Sequence, residues 1–346
     1  GGIEVTTRNI HLIGSVGLED AETVFRTLAR TVGPAAARYP DGETGVRSIW
    51  IRWQADVFAS HPDMVRVEQK DMYGDKVERP YFGARDGVDP ASLTFDNIGY
   101  ADAAIASFAI FKRLKNDGEI PKPTRFQVSL PTAVAVTWGF IELSQCAAIE
   151  PAYERAMLSE VGKIRDSIPA NELAIQWDVC HEILAHDGAL ELFCDDVMEQ
   201  TMPRLTRLSA AVPEPAQLGF HLCYGDPGHK HIQEPADLAT CVEFANGICA
   251  NVPRPVDWIH MPVPSGRDDE AYVVPLSGLS LTDGTELILG LIHHSDGMDG
   301  NRRRVATAER AVSDFGIATE CGFGRRPAET ISELLEFHTE IADNNK

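Results

Sequence analysis

The sequence lacks any apolar run long enough to cross a membrane. Its longest candidate, AIASFAIF at residues 104–111, falls far short of the ~20 apolar residues that a membrane span needs. No secretory signal is visible in the sequence either. We therefore expect a cytoplasmic protein that acts away from membranes.

Positive charge is also scarce. The chain has 31 Lys and Arg against 52 Asp and Glu, which gives a formal net charge of −21. Such an acidic surface repels the phosphates of nucleic acids and the head groups of anionic membranes, so we expect neither as a partner. We expect a small-molecule substrate instead, and the composition leaves the oligomeric state open.

The cysteines show no pattern of a disulfide framework. There are seven, an odd number, at irregular spacings in a chain of 346 residues. This favours reduced thiols in a cytoplasm. Five of them fall within helix-like stretches or near the starts of elements, where a cysteine usually packs as a small hydrophobic side chain. These five are Cys146, Cys180, Cys194, Cys241 and Cys249.

The sequence contains no Gly-x-Gly-x-x-Gly turn, internal repeat or linker. It instead alternates short apolar runs, typical of buried strands, with longer amphipathic stretches, typical of helices. The strand candidates are residues 10–17, 36–45, 125–131, 172–179, 217–225, 256–263, 286–295 and 316–322. This α/β pattern predicts a single (β/α)8 TIM barrel over residues 1–346, with residues 54–97 decorating its mouth. An open doubly wound sheet is the alternative.

Polar side chains gather where the predicted strands end. In a barrel of this kind the active site lies at the carboxyl ends of the strands. The candidates are Ser15, Glu43, Gln176, Asp178, His221, Cys223, Tyr224, His260, His294, Asp296 and Cys321. Because a closed barrel turns these ends toward one cavity, we expect the side chains to lie near each other.

The stretch HLCYGD, at residues 221–226, places a histidine and a cysteine two positions apart on one strand. Alternate residues of a strand share a face, so His221 and Cys223 point together into the barrel or together toward the helices. An inward pair suits zinc, which imidazole and thiolate both bind, and Cys321 would supply a third ligand. The alternative is that these side chains only pack in the core.

Other polar candidates have equally simple alternatives. Gln176 and Asp178 share a face of their strand, where Asp178 either holds a substrate group or makes a structural hydrogen bond. Glu43, in the stretch DGETGVR, is either a functional carboxylate or part of a turn. His229 and His231 lie on a predicted loop, and we expect solvent exposure there, with contact to substrate as the alternative.

Six stretches, in the same chain order, resemble motifs of cobalamin-independent methionine synthase. They are HLIGSVG, DGETGVR, AIQWDV, HLCYGD, GLIHHSDG and TECGFGRR, and together they span nearly the whole chain. The wider superfamily includes uroporphyrinogen decarboxylase and the zinc-dependent coenzyme M alkyltransferases. The resemblance implies the same barrel fold.

The resemblance also implies a zinc site. By position in the motifs, His221, Cys223 and Cys321 are the implied ligands. His260 stands at the next strand end, where the family has a glutamate ligand, and would be a fourth ligand or leave that place to substrate. In the family, zinc lowers the pKa of a bound thiol, and the thiolate then attacks an alkyl carbon.

Polar side chains around the implied zinc receive roles from the same resemblance. Asp178 and His294 match active-site positions of the family, and Glu43 matches its amino-acid-binding glutamate. We expect these three to be catalytic, with His294 acting as acid or base on the leaving group, oriented by Asp178 or Asp296. The expected substrate-binding side chains are Ser15, Gln176, Tyr224 and Asp296.

Three departures from the family point to a different substrate. This sequence predicts one barrel, whereas the synthase has an additional N-terminal half. Val179 stands where the family has a glutamate, and the stretch HHSDGMDGNRRR replaces its His-Ser-Pro. We therefore predict a zinc-dependent transferase that moves an alkyl or methyl group to a thiol, outside methionine synthesis itself.

Three other functions stay open. Zinc can also act as a Lewis acid or activate water, which would make the protein a lyase or hydrolase of a small carbonyl or carboxylate substrate. A metal-free enzyme of the decarboxylase type would bind carboxylates through arginines such as Arg47, Arg52 and Arg267. A binding protein without catalysis, built on the same barrel, is the last alternative.

Overall fold

The computed structural model describes residues 8–69, 79–227 and 230–343. Its strands are β1 (Arg38–Pro40), β2 (Met64–Val67), β3 (Tyr81–Ala84), β4 (Arg125–Pro131), β5 (Leu173–Val179), β6 (Gln217–Leu222), β7 (Trp258–Pro262), β8 (Glu286–Ile292) and β9 (Gly316–Thr319). Seven strands form one curled parallel sheet in the order β1-β4-β5-β6-β7-β8-β9. The expected α/β class with a parallel sheet is therefore confirmed.

The helices of the described residues follow the strands along the chain and pack on the sheet. They are α1 (Ala21–Thr31), α2 (Ala55–Ser60), α3 (Tyr100–Asn116), α4 (Ala133–Phe140), α5 (Leu143–Ser167), α6 (His181–His186), α7 (Val197–Ala210), α8 (Ala239–Asn251), α9 (Glu270–Val273), α10 (Gly297–Ala311) and α11 (Ile331–Ala342). Helix α1 shows why they form where they do. Asp20 caps it by accepting the Thr23 N–H at 2.8 Å, and Val24, Phe25 and Leu28 form its buried face.

The segment 10–16, expected as the first strand of an eight-stranded barrel, runs between the two edges of the sheet. It makes isolated parallel bridges to β9 at Ile317 and to Gly42 just after β1, but no continuous ladder. Its middle carbonyls are taken by side chains, because Gln127 donates to Leu12 O at 2.8 Å and Gln176 donates to Ile13 O at 2.7 Å. Within the described residues, the large sheet therefore contains seven regular strands, and this irregular segment lies where an eighth would stand.

Residues 54–97, expected to decorate the barrel mouth, contain α2 and the antiparallel hairpin of β2 and β3. Phe82 of the hairpin bridges to Ile141, at the end of α4. Residues 70–78 of this region lie outside the described residues. The hairpin thus packs on the helical layer that follows β4.

Strand register brings three polar side chains side by side. Asp178 on β5 pairs with His221 on β6, and His221 pairs in turn with His260 on β7. Since the strands are parallel, these positions lie at one end of the sheet, where the chain passes into its carboxyl-end loops. None of the described helices has the length and apolar character needed to cross a membrane.

Candidate metal centre and active-site cavity

A cavity of about 700 Å³ opens at the carboxyl ends of the strands. Its walls come from segment 10–16, the loop after β1, the ends of β5 and β6, and the turn after β9. The side chains that matter chemically are Ser15, Glu43, Trp50, Asp178, Cys180, His221, Cys223, His231, Cys321 and Arg325. This is a typical volume for a small-molecule site, and its place in the fold agrees with the expected active-site end.

One wall of the cavity carries the predicted His/Cys cluster. One ligand atom each of His221, Cys223 and Cys321 lies within 4.8 Å of the other two. The two sulfurs are 3.9 Å apart, well beyond the ~2.0 Å of a disulfide, and both thiols are free. Strand β6 and the turn after β9 thus bring an imidazole and two thiols to one point.

The hydrogen bonds of His221 leave one ring nitrogen directed at no partner. Its Nδ1 lies 2.8 Å from Nδ1 of His260, whereas its Nε2 is buried without a hydrogen-bond partner among the described residues. A buried nitrogen without a partner costs free energy unless a hydrogen-bond donor or a metal ion accepts its lone pair. An imidazole nitrogen and two thiol sulfurs are the donors that zinc prefers, so these residues fit that metal.

The protein around the two thiols favours their neutral form. Contact with Cys180 and then burial raise the pKa of the Cys223 thiol well above its usual value, although Cys321 partly opposes the shift. Contact with Cys223, followed by burial, likewise raises the pKa of Cys321. One backbone N–H, from Gly225, donates to the Cys223 sulfur at 3.2 Å. Protein groups alone therefore favour neutral thiols here, and a bound cation would reverse that preference.

His260, expected as a possible fourth ligand, lies beside the cluster rather than in it. Its Nδ1 faces His221, and its Nε2 lies 3.0 Å from the carbonyl oxygen of Thr319. Both ring nitrogens therefore already have protein partners. The group of side chains able to hold a metal among the described residues consists of His221, Cys223 and Cys321.

The same cavity is lined by two carboxyl groups, those of Asp178 and Glu43. Asp178 accepts hydrogen bonds from the side chains of Gln176 at 2.9 Å and Trp50 at 3.2 Å, yet burial raises its pKa to about 7. Burial, and then the charge of Asp178, raise the pKa of Glu43 to about 8. At neutral pH this pair therefore retains protons that exposed carboxyls would have lost.

The backbone around Glu43 and Trp50 is strained. These two residues have φ angles of 46° and 39°, in the left-handed region that side chains other than glycine rarely adopt. Gly14 packs closely against Glu43, because a Cβ at Gly14 would contact Oε1 of Glu43 unless that carboxyl shifted. Strain of this kind persists where the surrounding structure forces it, and it is frequent at functional sites.

The aromatic ring of Trp50 stacks on the imidazole of His181. The ring centroids of Trp50 and His181 are 5.5 Å apart with an interplanar angle of 9°, and the ring centroid of Trp138 lies 4.9 Å from that of His181. Burial, helped by the charge of Arg79, lowers the pKa of His181 to about 3, so the imidazole is neutral. Sequence reasoning missed Trp50 as a site residue, because its contact with Asp178 depends on a loop conformation that no local pattern encodes.

Three of the expected site residues lie away from the cavity wall. His294 contacts Glu333 on α11 at 2.7 Å, because the chain turns after β8 and directs its neighbour His293 inward instead. Asp296 forms an ion pair with the buried Arg304, with oxygen–nitrogen distances of 2.5 and 2.9 Å. Tyr224 donates its hydroxyl to Asp187 at 2.7 Å.

The remaining candidates are at or under the cavity. Ser15 lines it and accepts the Gly324 N–H at 3.2 Å. Gln176 lies beneath Asp178 and supports it, as described above. Of the arginines considered for carboxylate binding, Arg52 lines the cavity, whereas Arg47 pairs with Asp41 and Arg267 pairs with Asp269.

The loop after β6 contributes a histidine that we expected to be exposed. The side chain of His231 is only 2% exposed, and its nitrogens lie 3.1 Å from Glu234 and 3.0 Å from Glu320. Burial alone would lower the pKa of His231, but the two carboxylates outweigh it and raise the pKa to about 9. His229, the other loop histidine, lies outside the described residues.

Two further residues of the cavity were not singled out from the sequence. Cys180 follows β5 directly and lies beside Cys223 in the cavity, so the prediction that it only packs in the core is incomplete. Arg325 also lines the cavity, and it donates to the backbone oxygen of Asp226 at 2.7 Å and to its carboxylate at 3.0 Å. The motif TECGFGRR did contain Arg325, but its position in the cavity follows from the turn after β9.

Comparison with solved structures shows which known fold this is. A B12-independent methionine synthase from Shewanella sp. W3-18-1, in complex with selenomethionine, matches with a TM-score of 0.63 and 13% identity, over 97% of each chain. A putative vitamin-B12-independent methionine synthase from Listeria monocytogenes matches with a TM-score of 0.51 and 13% identity, over 93% of this chain and 86% of that one.

A methyltransferase from Methanosarcina mazei also matches, with a TM-score of 0.53 and 9% identity, over 98% of this chain and 95% of that one. Comparison with protein-family models and with curated proteins gives no match. At these identities the matches show the fold. The expected resemblance to the methionine synthase barrel is thus confirmed at the level of structure.

Proposed function

We propose that this protein is a zinc-dependent transferase that moves a methyl or alkyl group to a thiol substrate. The observation that carries the proposal is the cluster of His221 with two free thiols at the active-site end of the fold, in which Nε2 of His221 is buried without a partner among the described residues. Structures of the same fold include two methionine synthases and a methyltransferase, which supports alkyl transfer as the reaction class. Thiol activation agrees with a site whose donors are sulfur and imidazole nitrogen.

His221, Cys223 and Cys321 would hold the zinc, which leaves a further position open to substrate. When bound, zinc would lower the pKa of a thiol placed there, so that a thiolate is available at neutral pH. The three protein ligands deliver one neutral nitrogen and two sulfurs at fixed strand ends. A set of three protein ligands with one open position is typical of catalytic zinc.

Asp178 and Glu43 would manage the proton and the polar end of the substrate. With pKa values of about 7 and about 8, they can release or accept a proton near neutral pH, as a general acid or base must. Trp50 and Gln176 fix the orientation of Asp178 through hydrogen bonds. We therefore assign the acid–base role to this pair in place of His294.

A zinc-dependent lyase or hydrolase is the second candidate. The same open position would accept a carbonyl oxygen or a water molecule, and the carboxyl pair would then serve as base. The observation that favours it is the ability of Asp178 and Glu43 to carry protons in a cavity of this size. The two candidates differ in whether a thiol enters the site.

Metal analysis of purified protein, followed by thiol titration, tests the proposal. We expect about one zinc per chain. In cobalt-substituted protein, an added thiol should increase the sulfur-to-cobalt charge-transfer absorption beyond the level that Cys223 and Cys321 already give. A Cys223→Ser variant should lose the zinc, and Cys249→Ser is its matched control, because Cys249 lies on α8 outside the cavity. Catalysis by the metal-free protein would contradict zinc dependence, and cobalt protein that ignores every thiol would favour the lyase or hydrolase.

A further inference from the structure

Two imidazoles meet under the candidate metal centre. His221 and His260 stand opposite each other on neighbouring strands, with Nδ1 atoms 2.8 Å apart and ring centroids 4.7 Å apart. Both side chains are buried, with 2% and 0% of their surfaces exposed. A contact this short between two nitrogens requires that one of them donates a hydrogen and the other accepts it.

The carbonyl oxygen of Thr319 decides which nitrogen donates. It lies 3.0 Å from His260 Nε2, and because a carbonyl only accepts, that nitrogen carries the hydrogen. Both imidazoles are buried, and among the described residues no carboxylate accepts a hydrogen bond from either ring, so each is neutral and has a single N–H. Nδ1 of His260 is then the acceptor, and Nδ1 of His221 is the donor. The Nε2 lone pair of His221 is consequently free to bind a metal.

A glycine in strand β8 leaves space for the contact between His260 and Thr319. Gly290 lies between the histidine and β9, and a Cβ there would lie 2.8 Å from Thr319 O and 2.9 Å from His260 Nε2. Thr319 in turn donates its hydroxyl to the backbone carbonyl of Cys321 at 2.6 Å. A continuous set of hydrogen bonds therefore joins His221 to the turn that carries Cys321.

We propose that His260 is a positioning residue, which fixes His221 with its Nε2 unprotonated and ties it through Thr319 to the turn that carries Cys321. The metal-binding part of this inference rests on the proposed zinc site. The tautomer part does not, because it concerns the protein alone. Partners of this kind typically change metal affinity by 10- to 100-fold when they are removed.

The tautomers are tested first, in metal-free protein with ¹⁵N-labelled histidine. Long-range ¹H–¹⁵N correlations should show His221 with hydrogen on Nδ1 and His260 with hydrogen on Nε2. The opposite tautomer of His221 would overturn the inference whether or not the protein binds zinc. In a His260→Leu variant, His221 should lose its single tautomer. Retention of that tautomer would also overturn the inference.

Zinc affinity, measured by competition with a chelator at fixed pH, is tested next. We expect His260→Leu to weaken zinc roughly 10- to 100-fold and His260→Gln, which keeps a donor and an acceptor, to restore part of the loss. His338→Leu is the matched control, because His338 is equally buried but bonds to Leu334 within α11. Affinity of His260→Leu equal to that of the control would overturn the positioning role.

A failure of the zinc proposal would look different. Wild-type protein that binds no zinc would refute the proposed function, whereas the tautomers of the metal-free protein would still support or refute the hydrogen bonds of His260. Wild-type protein that binds zinc with an unfixed His221 would refute the role of His260 and leave the zinc site standing.

Discussion

The two working walls of the cavity are built in different ways. The metal wall takes His221 from a regular strand and Cys223 and Cys321 from the residues just after strands. The carboxyl wall takes Glu43 from a strained loop and relies on Trp50, the second strained residue, to hold Asp178. The metal wall presents nitrogen and sulfur lone pairs that a cation can accept, and the carboxyl wall holds protons. Together they suit a reaction that activates a nucleophile at one wall and moves a proton at the other.

The largest effect is expected when the metal is lost while the carboxyl wall stays intact. Cys223→Ser should abolish both zinc binding and alkyl transfer, since hydroxyl is a poor replacement for a zinc-binding thiolate. The Asp178 side chain is untouched, so the fold and the carboxyl wall should persist. Zinc content by mass spectrometry and transfer to a thiol by product analysis measure the effect. Normal zinc content in this variant would place the metal elsewhere.

Removing the proposed acid–base group, Asp178, should have the next largest effect. Asp178→Asn keeps the shape and hydrogen-bonding size of the side chain but cannot exchange a proton, so turnover should fall roughly 10²- to 10⁴-fold. Zinc content should stay at the wild-type level, because no metal ligand changes. Steady-state kinetics and metal analysis on the same preparation check this prediction. A parallel loss of zinc would show that the two walls are not independent.

The carboxyl wall should also lower stability as pH rises. The pKa of Glu43 is about 8 in the folded protein against 4.5 for the free group, so the folded state binds more protons between those values. Unfolding free energy should therefore decline with rising pH across this window and level off above it. In Glu43→Gln, the fall in unfolding free energy across this window should be smaller than in the wild type by on the order of 2 kcal/mol.

Denaturant unfolding of metal-free protein at several pH values measures this difference. The unfolding free energy of the Gln variant should rise relative to that of the wild type as pH increases from 5 to about 8. Only the wild type must ionise a poorly solvated carboxyl. Parallel curves for the two proteins would mean that Glu43 ionises as easily in the folded state as in the unfolded chain.

A smaller effect is expected from the residue that steers Asp178. Trp50→Phe keeps the stack on His181 but deletes the hydrogen bond to Asp178, and that hydrogen bond lowers the pKa of the carboxyl. Turnover should fall a few-fold, and the limb of the pH–rate profile that reports Asp178 should move to higher pH. A profile that stays in place would exclude Trp50 from this role.

The smallest effect is expected at His294. His294→Gln should change turnover less than about twofold, because its imidazole contacts Glu333 on α11 and lies outside the cavity wall. Steady-state kinetics beside Asp178→Asn test this directly. A loss comparable to that of Asp178→Asn would restore His294 to the active site that the family resemblance implied.

The sequence was most informative where side chains sit on or directly after regular strands. The period of two placed His221 with Cys223, and the strand-end rule placed Cys321 and Asp178 around the same cavity. Both arguments need only strand boundaries and parallel connections, which hydrophobic patterning indicates well. The fold class followed from the same pattern.

The sequence was least informative where loops and long-range contacts decide. Strand β8 ends at Ile292, so the period of two no longer applies to His294. The apolar segment 10–16 resembled a strand, but the side chains of Gln127 and Gln176, far along the chain, take the carbonyls that a ladder would use. The burial of His231 between Glu234 and Glu320 depends on a loop fold that composition does not determine.

The metal wall is tested most directly by zinc K-edge X-ray absorption on the zinc-loaded protein. We expect two sulfur ligands at ~2.3 Å and one imidazole nitrogen at ~2.0 Å, with the remaining position filled by a light atom from solvent. Addition of a thiol substrate should raise the sulfur count by one. A shell of nitrogen and oxygen alone, or a protein that takes up no zinc, would contradict the assignment of His221, Cys223 and Cys321.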